Sequence, residues 1–196
     1  MKKQFALIAV MILSLALLAG CGGKTVTRTA VDEVLDLSGK WNETDSQLVS
    51  AQLESQIMSA AWNEDFRGEK GRKPVLIIGN VRNKTSEHIA VKTFIADLER
   101  SFINGGRAKV VASPEERDQI RTERADQQEF ASTETMKQWG REKGADFMFM
   151  GEINMIRDRE GGDESRYYQV DCYLVDLEDN TKVWAGYEKI KKLIER

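Results

Sequence analysis

Cysteine, histidine and proline are scarce in this chain of 196 residues, and each scarcity excludes a class of protein. The only histidine, His88, has no neighbouring cysteine, which argues against a zinc site. With two prolines in all, no segment is a proline-rich linker. Positive charge is not in excess either, because 29 Lys and Arg against 32 Asp and Glu leave a net charge of −3. This balance argues against a nucleic-acid-binding protein.

Catalytic and ligand-binding motifs are missing as well. The sequence contains neither G-x-S-x-G nor S-x-x-K, and residues 68–73 lack the spacing of a phosphate-binding loop. The acidic segment 158–164 offers carboxylates for Ca²⁺, but not in the order of a calcium loop, so a solvated Gly-Gly turn is the favoured interpretation. We therefore predict a non-enzyme with no catalytic residue, no metal site and no cofactor. A hydrolase with an unrecognised carboxylate pair stays as an alternative.

The first 21 residues have the pattern of a secretory signal that ends at a modified cysteine. Lys2 and Lys3 precede an apolar stretch at 5–18, which is shorter than the roughly 20 residues that a membrane-spanning helix needs. The stretch ends in Leu-Ala-Gly-Cys, which resembles the lipobox of bacterial lipoproteins. We predict a signal peptide at 1–20 and lipidation of Cys21. The alternative is an ordinary signal peptide followed by a chance cysteine.

Lipidation of Cys21 would anchor the mature chain to a membrane without spanning it. Gly22, in place of an aspartate, indicates the outer membrane in the enteric sorting scheme. With Cys21 acylated, Cys172 has no partner for a disulfide within the chain. Cys172 lies in an alternating apolar–polar run, so we expect it to pack as a small buried hydrophobe, with a reactive thiol as the alternative.

Residues 21–43 form the predicted lipidated N-terminus and tether, and residues 44–196 form the predicted globular domain. The tether is polar, and it would span at most about 70 Å when fully extended, or about 25 Å as a coil. Leu35, Leu37 and Trp41 interrupt its polar character. We expect these three side chains to dock the end of the tether onto the domain.

Apolar spacing predicts a first helix that begins at Thr44, with Gln47 as its capping-box partner. A second amphipathic helix is predicted to end at the Gly-Gly pair 105–106. Ser113 begins a third helix, which is nearly all polar and therefore expected on the surface. The second and third helices are predicted at 86–104 and 113–130, a further helix at 132–143, and a charged loop at 63–73.

Apolar runs predict strands at 74–81, 108–111, 146–157, 167–177 and 183–190, with a hairpin loop at 158–164. Short turns make the last three strands antiparallel. One buried face is predicted for Tyr168, Val170, Cys172 and Leu174. Two crossover helices each have one apolar face, which should pack on the sheet. The predicted fold class is therefore α/β, with a mixed sheet of about five strands, helices packed on it and a C-terminal antiparallel meander.

The polar helix predicted at 113–130 is the candidate partner-binding element. Its surface is dense in arginine and amide side chains, and arginine is favoured at protein interfaces. The candidate contact residues are Arg121, Arg124, Gln127 and Gln128. A solvated helix with no partner is the alternative interpretation.

Four segments resemble the LpoB-type activators of penicillin-binding proteins: PVLIIGNVRNKTSEHI (74–89), RDQIRTER (117–124), GADFMFMGEI (144–153) and KVWAGYEKI (182–190). The resemblance implies a fold similar to the N-terminal domain of TolB and a lipid anchor in the outer membrane, facing the periplasm. It also implies a partner, a bifunctional penicillin-binding protein that synthesises peptidoglycan, which the chain would activate without chemistry of its own. The alternative is a structural or oligomeric envelope lipoprotein, accessory to a secretion or motility assembly.

Overall fold

A computed structural model describes residues 26–30, 33–130 and 144–195, with side chains described outside 127–130. The chain divides into two units, and the second, which begins at Val34, contains all the elements named here. Its helices are α1 (Glu43–Ser59), α2 (Trp62–Lys70), α3 (Val91–Asn104) and α4 (Pro114–Phe130). Its strands are β1 (Val75–Asn83), β2 (Lys109–Val111), β3 (Phe147–Glu160), β4 (Asp163–Asp176) and β5 (Lys182–Ile194).

The five strands form one mixed sheet in the order β2-β1-β3-β4-β5. β1 pairs in parallel with both β2 and β3, whereas β3, β4 and β5 pair antiparallel. The α/β class, the number of strands and the C-terminal meander are therefore as predicted. The parallel pairs follow from the helical crossovers that connect them, because a parallel connection needs a long excursion of the chain.

One face of the sheet is covered by helices and forms the core. Tyr168, Val170, Cys172 and Leu174 alternate along β4 and are all buried, which confirms their predicted shared face. α1 contributes Val49, Leu53 and Ile57, and α3 contributes Phe94, Leu98 and Phe102. The apolar side chains of the two helices recur every three or four residues, and they pack on strand side chains that recur every second residue. The opposite face of the sheet bears half-buried and exposed side chains.

The first helix begins earlier than predicted. Its N-cap is Asn42, whose side chain accepts a hydrogen bond from the backbone N–H of Asp45, while Asp45 accepts from the backbone N–H of Asn42. This reciprocal capping box replaces the predicted pair of Thr44 and Gln47. Asp45 takes the third position that Glu or Gln usually occupies in a capping box, and its carboxylate lies buried.

The predicted loop at 63–73 is wrong, because most of it is the helix α2. Its two aromatic residues, Trp62 and Phe66, are one helical turn apart and both point into the core. Trp62 also donates its indole N–H to the carbonyl of Ile57 at 2.9 Å. Gly71 ends the helix in the left-handed conformation, with φ of 63°. Charged residues between the aromatics hid this short apolar stripe in the sequence.

Three further boundaries differ from prediction. Helix α3 begins at Val91 rather than near residue 86, because Thr85 and Glu87 are held in a turn by the side chain of Asn83. The predicted hairpin loop at 158–164 is a two-residue turn, since β3 and β4 continue to Glu160 and Asp163 on either side of a Gly-Gly pair. β5 continues to Ile194. The helix predicted at 132–143 lies outside the described residues.

Candidate interaction surface

Helix α4 is the most solvent-exposed element of the described chain. Ser113 and Glu116 form a capping box at its start, with donor–acceptor distances of 2.7 and 3.2 Å, and Pro114 occupies the first helical position. Of its side chains from 114 to 126, only Arg117 and Arg124 are half-buried, and the others are exposed. The predicted surface position of this helix is therefore confirmed.

The four candidate contact residues all lie on α4. Arg121 is exposed and its guanidinium binds the carboxylate of Asp118 at 2.8 Å. Arg124 is half-buried, and the side chains of Gln127 and Gln128 lie outside the described part of the chain. Positions 121, 124 and 128 follow helical spacing, so they share one side of the helix. Among the described side chains, the structure therefore places Arg121 and Arg124 on one side of α4.

A second polar feature holds the segment that leads into α1, residues 34–42, which we call the strap. Lys192, on β5, has a side chain that is only 7% exposed, and its ammonium group contacts Asp45 at 2.7 Å and Asp36 at 3.1 Å. The same ammonium donates to the backbone carbonyl of Lys40 at 3.0 Å. One buried cation therefore joins the strap, the start of α1 and the edge strand.

Trp41 fixes the other end of the strap. Its ring meets Tyr168 edge to face, with centroids 5.5 Å apart, and its backbone N–H donates to Glu87 at 3.0 Å. The indole N–H donates to Ser46 at 2.8 Å. Trp41 therefore docks on the domain as predicted, whereas the prediction for Leu37 was wrong, because its side chain is 92% exposed. Leu35 is half-buried, and its carbonyl accepts from the side chain of Asn42.

Glu87 and Glu164 organise an ionic cluster beside the strap. Glu87 accepts hydrogen bonds from the hydroxyl of Tyr168 at 2.9 Å and from Arg166 at 3.1 Å. Glu164 binds the guanidinium groups of Arg157, Arg159 and Arg166. Burial alone would raise the pKa of Glu164, but the hydrogen bonds from Arg166 and Arg159 outweigh it and hold that pKa below its usual range. The carboxylate therefore stays charged at neutral pH.

These ionic residues were not identified from the sequence, although one signal was present. The buried face of β4 alternates with a period of two, and the same alternation reaches Arg166 and Glu164. Charged residues at core positions of a strand must be paired, because an unpaired buried charge is costly. Their partners lie 79 and 7 residues away, at Glu87 and Arg157, and the sequence does not reveal them.

A shallow cleft of about 560 Å³ lies beside α2. It combines aromatic residues with acidic ones, and its lining, as far as the chain is described, includes no histidine, cysteine or serine. Within the same described residues, no three metal-ligating side chains are grouped for an ion, and no helix is long and apolar enough to cross a membrane. Cys21 lies outside the described residues.

Cys172 should be chemically inert in the folded protein. The residue is fully buried, and burial raises the pKa of its thiol to about 12. The reactive thiolate is therefore almost absent at neutral pH. We expect a thiol reagent such as iodoacetamide to modify Cys172 only after the protein is unfolded in denaturant. Rapid modification of Cys172 in the native protein, measured by mass spectrometry, would contradict this placement.

The sequence model of the family "Peptidoglycan-synthase activator LpoB" matches residues 45–190. The chain belongs to the LpoB family. This match runs from the first turn of α1 into β5. It includes α4 and the ionic residues Asp45, Glu87, Glu164 and Arg166. The suspected family is thereby confirmed, and the chain is assigned to the activators of peptidoglycan synthesis. Among proteins with curated descriptions, none matches the sequence significantly.

Solved structures of LpoB are among those similar to this chain. The LpoB C-terminal domain from Salmonella enterica is 15% identical, with a TM-score of 0.39, and the match covers 74% of this chain and 98% of that one. The same domain from Escherichia coli is 15% identical, with a TM-score of 0.36, and the match covers 74% of this chain and 98% of that one. Lipoprotein GNA1162 from Neisseria meningitidis is 12% identical, with a TM-score of 0.38, over 62% of this chain and 84% of that one.

Proposed function

We propose that this member of the LpoB family is a lipoprotein, anchored by Cys21 in the outer membrane and facing the periplasm. In this position it binds a bifunctional penicillin-binding protein and stimulates its peptidoglycan synthesis as a non-catalytic regulator. The membership of an activator family is the observation on which the proposal depends. The Leu-Ala-Gly-Cys sequence before residue 22 supports the anchor.

Helix α4 is the proposed contact with the synthase, through Arg121, Arg124, Gln127 and Gln128. Two features support this assignment. The helix is exposed along its described length, so a partner reaches it without rearrangement of the core. Arginine and amide side chains also provide many hydrogen-bond donors per unit of surface, and arginine is enriched among the residues that dominate binding energy.

Charge reversal on α4 should weaken this contact without unfolding the protein. We expect the double variant Arg121→Glu/Arg124→Glu to bind the synthase at least about tenfold more weakly. The two glutamates would repel the groups of the partner that the two arginines attract. The free energy of unfolding should change by less than about 1 kcal/mol, since Arg121 is exposed and Arg124 is only half-buried. Surface plasmon resonance and denaturant unfolding measure the two quantities.

A matched control lies on α3. Arg100 binds Asp97 at 2.7 Å with the same three-residue spacing as Arg121 and Asp118, and Lys92 is exposed on the same helix. The variant Lys92→Glu/Arg100→Glu makes an identical change in net charge, and we expect it to bind the synthase like the unmodified chain. Equal weakening by both double variants would show that net charge, and not α4, determines the affinity.

A further inference from the structure

The face of the sheet opposite the core, which we call the open face, is rich in tyrosine on its three antiparallel strands. The registers of β3, β4 and β5 define its cross-strand rows. Three of the four tyrosines of the chain belong to it, namely Tyr167, Tyr173 and Tyr187, and Tyr187 is 55% exposed. Aromatic rings that carry a polar group and remain in contact with water are typical of binding surfaces.

Hydrogen-bonded polar side chains form a ladder across this face. Along β4, the hydroxyl of Tyr167 donates to Gln169 at 3.1 Å, and the amide of Gln169 donates to both carboxylate oxygens of Asp171, at 2.8 and 3.0 Å. On the neighbouring strand β3, Asn154 donates to Glu152 at 3.1 Å, and these two residues pair with Gln169 and Asp171. Because the side chains hold one another in place, they can bind a polar ligand with little loss of side-chain entropy.

The lysines of β5 bring positive charge to the open face. Along its described length, this side of β5 bears Lys182, Lys189 and Lys191 and no acidic residue. The ammonium groups of Lys182 and Lys189 lie over the rings of Tyr173 and Tyr187, at 3.7 and 4.7 Å from the ring centroids. Contacts of this kind are weak at exposed sites, so an anionic group can replace the ring at little cost.

The acidic residues of the three strands do not cancel this charge along β5. Glu152 already binds two cations, Lys84 at 2.6 Å and Arg82 at 3.5 Å. Asp171 accepts its two hydrogen bonds within the ladder, and Asp158 lies at the end of the face, beyond the lysines. The β5 side of the open face is therefore positive, although the whole chain has a net charge of −3. This local sign favours an anionic ligand.

We propose that the open face of β3, β4 and β5 binds the peptidoglycan polymer itself, with sugar rings against Tyr187 and carboxylates of the peptide stems on Lys189 and Lys191. This inference rests on the proposed function, which places the chain where peptidoglycan is made. Aromatic rings, a polar ladder and lysines together suit a ligand with apolar ring faces, many hydroxyl and amide groups and negative charge. A chain of amino sugars that carries acidic peptides combines all three. Exposed sheet faces bind oligosaccharides in other folds as well.

The experiment sediments the lipidated chain, kept in non-ionic detergent, with purified peptidoglycan sacculi that contain neither lipid nor synthase. We expect the variant Tyr187→Ala/Lys189→Glu/Lys191→Glu to lower the pelleted fraction at least about threefold, because it removes an exposed ring and reverses two cations. All three positions are exposed, so the fold should persist, which urea unfolding verifies. Sacculi stripped of their peptide stems by an amidase should bind more weakly and without dependence on salt, since they lack the carboxylates.

A matched control lies on the helices that cover the other face. The variant Leu48→Ala/Lys92→Glu/Arg100→Glu also removes one exposed apolar side chain and reverses two exposed cations, on α1 and α3. We expect it to pellet like the unmodified chain.

Three results would overturn the proposal. The first is equal pelleting of the open-face variant and the unmodified chain, and the second is equal loss of binding by both triple variants, which would show that net charge alone determines it. The third is displacement by lipopolysaccharide but not by soluble glycan–peptide fragments, which would assign the surface to another anionic glycan. Stimulation of a synthase is measured separately. A chain that stimulates the synthase but does not pellet lacks only this site, whereas one that pellets without stimulation contradicts the activator role.

Discussion

Replacing Lys192 with alanine is expected to lower the free energy of unfolding by about 3 kcal/mol, at the lower end of the usual range for breaking a buried ion pair. The substitution leaves the carboxylate of Asp45, which is 5% exposed, without its cation. Asp45 keeps one hydrogen bond, from the backbone N–H of Asn42 at 2.8 Å, which limits the loss. The strap also loses its contacts at Asp36 and Lys40. Urea unfolding measures the change.

Two further variants separate the ion pair from other effects. Lys191→Ala removes the neighbouring, exposed lysine and should change the free energy of unfolding by less than about 0.5 kcal/mol. Adding Asp45→Asn to Lys192→Ala removes the uncompensated charge while keeping an acceptor for the cap, so we expect it to restore part of the stability. Equal stability of Lys191→Ala and Lys192→Ala would contradict the buried position of Lys192.

Phe149→Ala is expected to lower the free energy of unfolding by about 3–5 kcal/mol. Phe149 is fully buried near the start of β3, where its ring stacks on Trp184 with centroids 6.3 Å apart. The substitution leaves a cavity between the sheet and the helices that cover it. Denaturant unfolding followed by tryptophan fluorescence would measure the loss.

The neighbouring residue provides the control for Phe149. Met150 points to the opposite face of the sheet and is only half-buried, so Met150→Ala should cost about 1 kcal/mol or less. The difference between the two variants tests which face of the sheet is the core. If Met150→Ala destabilised the protein as much as Phe149→Ala does, the open face would be buried in solution and the surfaces described for it would be wrong.

The meander could be predicted from sequence because its signals are local. Alternation of apolar residues along β4 gave the buried face from Tyr168 to Leu174, and the turn residues between strands gave their antiparallel order. The start of α4 was equally clear, since Ser113 and Glu116 cap it within one turn of helix. In each case the residues that determine the structure are neighbours in the chain.

The failures have the opposite cause, because distant contacts decide them. α2 forms because Trp62 and Phe66 pack on Phe147, which is far along the sequence. The N-cap of the first helix is Asn42 rather than Thr44, and its capping partner Asp45 is held by Lys192 of the last strand. Local patterns in both places fitted more than one structure. The docking of Trp41 was predicted, but its partner Tyr168 lies on β4, far along the chain, and could not be named from the sequence.

The docked strap also changes the expected reach of the protein from its anchor. Residues 22–43 appear in the sequence as one polar tether, but the compact unit begins at Val34. The 12 residues between Cys21 and Val34 would span at most about 42 Å if they were fully extended. If the proposed anchor is correct, the synthase must therefore approach the membrane that holds this lipoprotein, and a long excursion of the activator is excluded.

The central claim is that this chain activates a peptidoglycan synthase, and glycan polymerisation tests it most directly. The assay measures polymerisation of the lipid-linked disaccharide precursor by the bifunctional penicillin-binding protein of the same organism, with and without the chain, alongside co-purification. The account predicts faster polymerisation and a stable complex, both reduced by Arg121→Glu/Arg124→Glu but not by Lys92→Glu/Arg100→Glu. An unchanged rate together with no co-purification would contradict it.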